Sequence, residues 1–209
     1  MGDTSDKRVP PSRSGLAAEA QALAEAAARL TARRQRDALP LTIRTQRLVL
    51  RAPIRGDVPE LVKLADNRKI FEVLARLPHP YTRADGIAFV EIVAQRSDER
   101  PYAITLRDQL IGVVGLSFAA DAPPELGYWL GEPHWGQGIM SEAVKALLEA
   151  AFTTGLYPFL RARALASNAG SLRILEKAGF RRVRKGLDTI GNCAGKTTVY
   201  LELEQPKWT

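Results

Sequence analysis

The chain has 209 residues, 45% hydrophobic and 25% charged, an ordinary balance for one globular domain with some extra sequence. No apolar run approaches the roughly eighteen residues of a membrane span, and "MGDTSDKRVPPSRSG" lacks the apolar centre of a secretory signal, so a cytoplasmic setting with no membrane partner is expected. One cysteine, Cys193, excludes an intramolecular disulfide, and with only two histidines no metal site is expected. The formal charge of +7 suits a polyanionic ligand; without an aromatic-interleaved basic stripe or zinc-finger spacing, no nucleic-acid partner is expected.

Residues 1–13, with Pro10 and Pro11, read as a flexible tail. Residues 14–40 read as a helical extension rich in alanine, with Leu16, Leu23 and Leu30 at heptad spacing and arginines towards its end. Such a stripe serves a dimerisation arm or a helix docked on its own domain. Docking is the preferred reading because short helices need tertiary packing, and the chain is expected to be a monomer or homodimer.

The main domain spans residues 41–204. "LTIRTQRLVLRAP" alternates like a strand, and "RGDVPELVKLADN" follows as a helix with Asp57 as cap and Pro59 near its first turn. "TRADGIAFVEIVAQRSDE" reads as a second helix, capped by Thr82 or Asp85. "YAITLRDQLIGVVGLSF" gives two strands about a turn at Asp108-Gln109. After "AADAPP" come the strand "ELGYWL", the helix "GIMSEAVKALLEAAFTTG", the strand "FLRARAL", the helix "NAGSLRILEKAG" and the strand "TTVYLEL". This order implies one α/β (α+β) domain with a mixed sheet.

Two glycine-rich stretches invite a phosphate. "GNCAGKTT" is not a nucleotide P-loop: Gly191 and Gly195 enclose three residues where four are needed, and a strand follows instead of a helix. "LGEPHWGQGIMSEAV" makes a poor dinucleotide fingerprint, since Ser141 stands at the third glycine position. It does place free backbone amides at a helix start, with Gly136 and Gly138 removing the Cβ obstacle. On the loop alone, a pyrophosphate site and a ligand-free β-α turn are equally good readings.

Read together and in order, "LTIRTQRLVLRAP", "LPHPYT", "LIGVVGLS", "ELGYWLGEPHWGQGIMSEAV" and "SNAGSLRILEKAGFRRV" resemble the GNAT superfamily of acetyltransferases. The likeness is to its RimJ/RimL-like branch, the ribosomal-protein alanine N-acetyltransferase type, over about residues 41–203. The resemblance implies a twisted mixed sheet, flanked by helices, whose middle strands splay to admit acetyl-CoA as co-substrate. Backbone groups around Tyr128, Trp129 and Leu130 would pair with the pantetheine arm. The amides of Trp135, Gly136, Gln137, Gly138, Ile139, Met140 and Ser141 would hold the pyrophosphate, and Asn168 would meet a pantetheine amide. The family often has Gln or Arg three residues before the first loop glycine; here it is Pro133. It often has a tyrosine four residues before the Gly-Phe pair; here it is Leu175, which donates no proton. The branch offers a serine to the sulfur instead, which corresponds to Ser171.

Acyl transfer to an amine needs a neutral amine, a polarised carbonyl and a stabilised thiolate. At pH 7 neutralising an α-amine of pKa near 8 costs about 1.4 kcal/mol, against about 4.6 kcal/mol for a lysine. Glu125, at the start of the strand facing the acceptor, is the candidate base; a solvated edge glutamate is the competing reading. His134, Glu142 and the tryptophans read as structural, and "RRVRKG" as a solvated basic face or an aid to the 3′-phosphate. The implied reaction is acetyl transfer from acetyl-CoA to a primary amine, by direct attack in a ternary complex. The acceptor is a protein N-terminal α-amine, a small amine or an amino acid. A non-catalytic acyl-CoA-binding module on the same fold is the alternative.

Overall fold

The alanine-rich extension forms helix α1, Arg13–Ala38, in a computed structural model that describes residues 13–119 and 122–205. Leu23 and Leu30 on its stripe are 66% and 68% exposed. Its end docks. Ala32 and Leu39 are buried, Arg36 donates to the Arg96 carbonyl (2.8 Å), and the Tyr157 hydroxyl donates to the Gln35 carbonyl. Docking therefore describes the C-terminal turns, while these two stripe leucines stay at the surface. Of the expected tail, residues 1–12 lie outside the described residues, and Arg13 already belongs to the helix.

The alternating segment expected as one strand is a hairpin of β1 (Thr42–Arg44) and β2 (Leu48–Arg51). Thr45 makes the turn: its N–H donates to the Leu48 carbonyl (3.0 Å) and its Oγ1 accepts from the Leu48 N–H (2.9 Å). Asp57 is not a side-chain cap of the following helix, α2 (Val58–Ala65). Its buried carboxylate is taken by Arg51 through two hydrogen bonds (2.7 and 2.8 Å) and by the Ile54 N–H (2.8 Å). A charge-assisted fork is stronger than a neutral cap, so the arginine wins the carboxylate.

A short helix α3 (Arg68–Phe71) is capped by Asn67, and α4 (Arg83–Glu91) by Thr82 with Asp85 returning to the Thr82 N–H. The next hairpin, β3 (Glu99–Leu106) and β4 (Gln109–Ser117), turns at Arg107-Asp108, one residue earlier than expected; both have φ in the left-handed region, 50° and 65°. Then come β5 (Glu125–Leu130), α5 (Ile139–Thr153), β6 (Phe159–Leu165) and α6 (Ala169–Lys177). The basic run "RRVRKG" is itself a strand, β7 (Arg181–Leu187), before β8 (Thr197–Glu204). Its pairing with β8 outweighs a composition that carries no apolar alternation.

These strands form one eight-stranded sheet in the order β1-β2-β3-β4-β5-β6-β8-β7. Because side chains alternate across a strand, the central strands β3, β4 and β5 feed two cores. Leu116, Leu126 and Leu130 pack with α5 and α6 residues on one face; Ala103, Val113 and Trp129 pack with α2 and α4 residues on the other. Only β5 and β6 run parallel, and they pair at just Glu125↔Arg161 and Leu126↔Ala162. Beyond Leu126 they diverge, each still paired along its far edge, β5 to β4 and β6 to β8.

Asp57→Ala leaves the Arg51 guanidinium without its partner in a half-buried place. It is expected to cost about 3 kcal/mol, read as a lower urea midpoint at unchanged slope.

Candidate active site

The divergence of β5 and β6 opens a cavity of about 1280 Å³ that reaches both faces of the sheet. On the α2–α4 face its wall includes Leu77, Phe89 and Trp129; on the α5–α6 face it includes Gly138, Ser171 and Ile174. The position of Gly127, one residue past the last paired position, is open: a Cβ built there meets nothing within 4 Å.

At the α5 end, Gly136 (φ 75°) and Gly138 (φ 73°) take left-handed conformations that L side chains resist. The amides from Gly136 to Ser141 donate to no acceptor among the described residues, which leaves a run of donors over the positive end of α5. This is the feature that fits a diphosphate. Trp135 departs from the expectation: its amide donates to the Glu132 carbonyl (3.1 Å), and its indole N–H takes the Leu130 carbonyl (2.7 Å). Neither group is then free for a cofactor. Gln137 closes the loop by donating from Nε2 to the Pro133 carbonyl (3.0 Å).

Glu142, in the first turn of α5, accepts from the Thr45 hydroxyl (2.6 Å), the Arg47 N–H (3.1 Å) and Arg47 Nε (2.6 Å). Burial opposes its ionisation, but the hydrogen bonds from Thr45 and Arg47 outweigh that and hold its pKa below the usual value.

Between the two ends stand Tyr128 and Ser171. Sequence reading placed Tyr128 as a backbone contact and Ser171 as the serine offered to the sulfur; the structure joins their side chains. Tyr128 Oη lies 2.9 Å from Ser171 Oγ and donates to the Ser171 carbonyl (3.2 Å). Burial pushes the phenol up to about 12, the Ser171 hydrogen bond pulling the other way, so it stays protonated through neutral pH. Leu175 is 1% exposed, packs in the core with α5 residues and also lines the cavity, where leucine donates no proton. Asn168 caps α6, its Oδ1 accepting from the Ser171 N–H (3.0 Å), so only its Nδ2 remains to meet a ligand amide.

On the α2–α4 face the register sets Glu99 across from Ser117 and Ser117 across from Glu125, so the three side chains share one face. The two glutamates are two strands apart, about 10 Å between backbones. Glu125 gives Oε1 to Arg163 Nε (2.9 Å), and Arg163 also reaches Asp188 (3.2 Å). Asp188 is buried and takes the Ile190 N–H and the Thr198 hydroxyl as well. Burial lifts the Glu99 carboxyl above its usual pKa; Arg76 and Arg96 oppose this, and Asp98 and Glu125 add to it. Glu99, Arg163 and Asp188 were missed in the sequence. Nothing local distinguishes them, since their place depends on strand register and on the long hairpin.

Cys193 lies far along the chain from the glycine loop, and the fold carries it back. The turn before β8 folds back onto the segment after α3, where Asn192 donates to the Leu74 and Leu77 carbonyls (3.1 and 2.6 Å). A Cβ at position 191 would lie 1.9 Å from the Ala75 carbonyl, so this approach requires glycine. Cys193 thereby lines the cavity, and burial pushes its thiol pKa up, which keeps it protonated and a poor nucleophile. Trp129 lines the same half. In "RRVRKG", Arg181 pairs with Glu204, Arg182 with Glu176, and Arg184 lies over the Tyr200 ring; of the neighbouring cations, Lys177 lines the cavity.

Residues 47–181 match the family model described as "Acetyltransferase (GNAT) domain". A 78-residue stretch is 38% identical to a Bacillus subtilis protein named Probable N-acetyltransferase YjcK, covering 36% of this chain and 43% of that protein. Another of 58 residues is 45% identical to the Escherichia coli ribosomal-protein-serine acetyltransferase, covering 26% of this chain and 31% of that one. The chain thus spans less than half the length of either relative. The crystal structure of the Microcin C7 self-immunity acetyltransferase MccE, in complex with acetyl-CoA and AMP, shares the fold. Its TM-score is 0.68 at 21% identity, covering 77% of this chain and 93% of that one. A splayed sheet with an amide-lined loop at the start of α5 defines a class, and the chain belongs to the GNAT acetyltransferase family.

Tyr128→Phe and Ser171→Ala each remove one side of the hydroxyl pair and are expected to cost about 1 kcal/mol in urea unfolding. The double variant should cost less than the sum, by roughly 0.5 kcal/mol or more. Additive costs would show that the two hydroxyls are not bonded.

Proposed function

We propose that the protein is an N-acetyltransferase that moves an acetyl group from acetyl-CoA to a primary amine by direct attack in a ternary complex. The observation that carries this reading is the passage through the sheet, with an amide cradle on one face and a carboxylate row on the other. Acetyl-CoA, when bound, supplies the acetyl group activated as a thioester. The amides Gly136–Ser141 would hold its diphosphate, and the inner edges of Tyr128 and Trp129 with Asn168 Nδ2 its pantetheine arm.

The acceptor enters from the α2–α4 side. Its ammonium is received between Glu99 and Glu125, where no cation stands between the two carboxylates in the register row. Glu125 Oε2, free while Arg163 holds Oε1, takes a proton from the amine. On the other face Ser171 donates its hydroxyl proton to the departing sulfur and is reprotonated through Tyr128 Oη, which regains its own proton from solvent. The two protons the ammonium gives up leave in turn to solvent through Glu125, so one proton is released net for each acetyl group moved. Such a site suits a protein N-terminal α-amine, whose pKa near 8 asks little of the base, and also admits a small amine.

Thiol release with a panel of N-terminal alanine and serine peptides and small amines tests this; acetyl-CoA binding without release for any of them would overturn it in favour of a binding module. Glu125→Gln and Ser171→Ala should each lower kcat by roughly a hundredfold, with acetyl-CoA affinity unchanged. Cys193→Ala should keep turnover, since no acyl-enzyme forms.

The pH dependence has a definite sign. A carboxylate whose pKa is raised loses its charge as pH falls while ordinary carboxylates are still ionised. Acceptor KM should therefore rise on acidification above the usual carboxylate range, and this limb should vanish in Glu99→Gln.

A further inference from the structure

Pro133 leaves the phosphate loop without the basic or amide side chain that often precedes its first glycine, yet the loop is held from outside. Arg47, in the turn between β1 and β2, lies far away in sequence. Its Nε binds Glu142 Oε2 (2.6 Å) and its backbone N–H binds Glu142 Oε1 (3.1 Å), which fixes the guanidinium to the first turn of α5. From there Nη1 donates to the Gln137 carbonyl (3.0 Å), and Nη2 is 3.7 Å from where a Cβ of residue 138 would stand.

The peptide unit joining Gln137 to Gly138 is planar and trans, so its C=O and N–H point in opposite directions. Whatever holds the carbonyl fixes the amide. We propose that Arg47 is a positioning residue of the diphosphate cradle: by holding the Gln137 carbonyl turned outward it keeps the Gly138 N–H turned inward. With φ at 73° and no side chain, Gly138 has little else to prevent rotation of that peptide unit. A flipped unit would present a carbonyl oxygen to the anion, replacing attraction by repulsion. Glu142 is the second part of the device. It neutralises the guanidinium, so Arg47 acts through geometry and not as a free charge. This inference rests on the coenzyme A reading of the loop.

Calorimetric titration of the full chain with CoA tests it. Arg47→Met is expected to raise the CoA Kd about tenfold, the loss of one oriented donor. Because the effect is short-ranged, the ratio to wild type should stay constant from low salt to about 0.3 M salt. Pantetheine, which lacks the diphosphate, should bind both proteins equally when followed by ligand-observed NMR. Glu142→Gln, which weakens the anchor and leaves the grip, should raise the CoA Kd by a smaller factor and serves if Arg47→Met does not fold. An unchanged CoA Kd in both variants, a ratio that collapses to one at high salt, or an equal loss for pantetheine would each overturn the positioning role. Wild-type protein that takes up no CoA would overturn the cofactor reading itself, a separable result.

Discussion

Everything at this site depends on two strands that stop pairing. β5 and β6 share a parallel ladder at only two positions, and each is bonded along its other edge to a full antiparallel neighbour. The divergence therefore does not unravel the sheet; it converts one strand boundary into a passage. Backbone polar groups along that boundary must still be met. The Trp135 indole meets one, the Leu130 carbonyl, and the same contact ties the phosphate loop to the end of β5. The groups nearer the vertex stay available, which is what a ligand bearing amides requires.

On β5, Leu126, Tyr128 and Leu130 face α5 and α6, while Glu125, Gly127 and Trp129 face α2 and α4. On the proposed reading, Tyr128, which resupplies Ser171, and Glu125, which takes the amine's proton, would sit three residues apart on one strand and on opposite faces. Gly127 lies between them with open space where a side chain would be, so the acceptor half narrows towards the vertex without closing.

The sequence was most legible where function is local. The glycines of "HWGQG", the helix behind them and the Asn168–Ser171 pair lie within short stretches, and short-range geometry decides their conformation. The order of strands and helices followed from periodicity for the same reason. What failed was non-local or a contest between partners. "LTIRTQRLVLRAP" became two strands because Thr45 bonds its own turn; Asp57 left its helix for Arg51; and "RRVRKG" became a strand only because β8 lies beside it. Glu99 meets Glu125 across two strand pairings, and Asp188 and Cys193 reach the cavity on a hairpin anchored by Asn192. No spacing in the chain announces these meetings.

That division has a physical consequence for selectivity. On the proposed reading the donor would be held by backbone amides whose arrangement depends on helix geometry, glycine conformations and the Arg47–Glu142 clasp, so most side-chain changes nearby would leave it intact. The acceptor would be met by side chains from β3, β5, β6 and the β7–β8 hairpin, resting on register that the core enforces from below. A change at Glu99 alters charge in the acceptor half without touching a backbone hydrogen bond of the sheet, because side chains in register project from a ladder that the backbone holds. Arg163 is the exception. It joins Glu125 to the buried Asp188, so losing it would strand a buried carboxylate as well as free the base. In the acceptor half, Arg163 is thus the point where stability and chemistry cannot be varied separately.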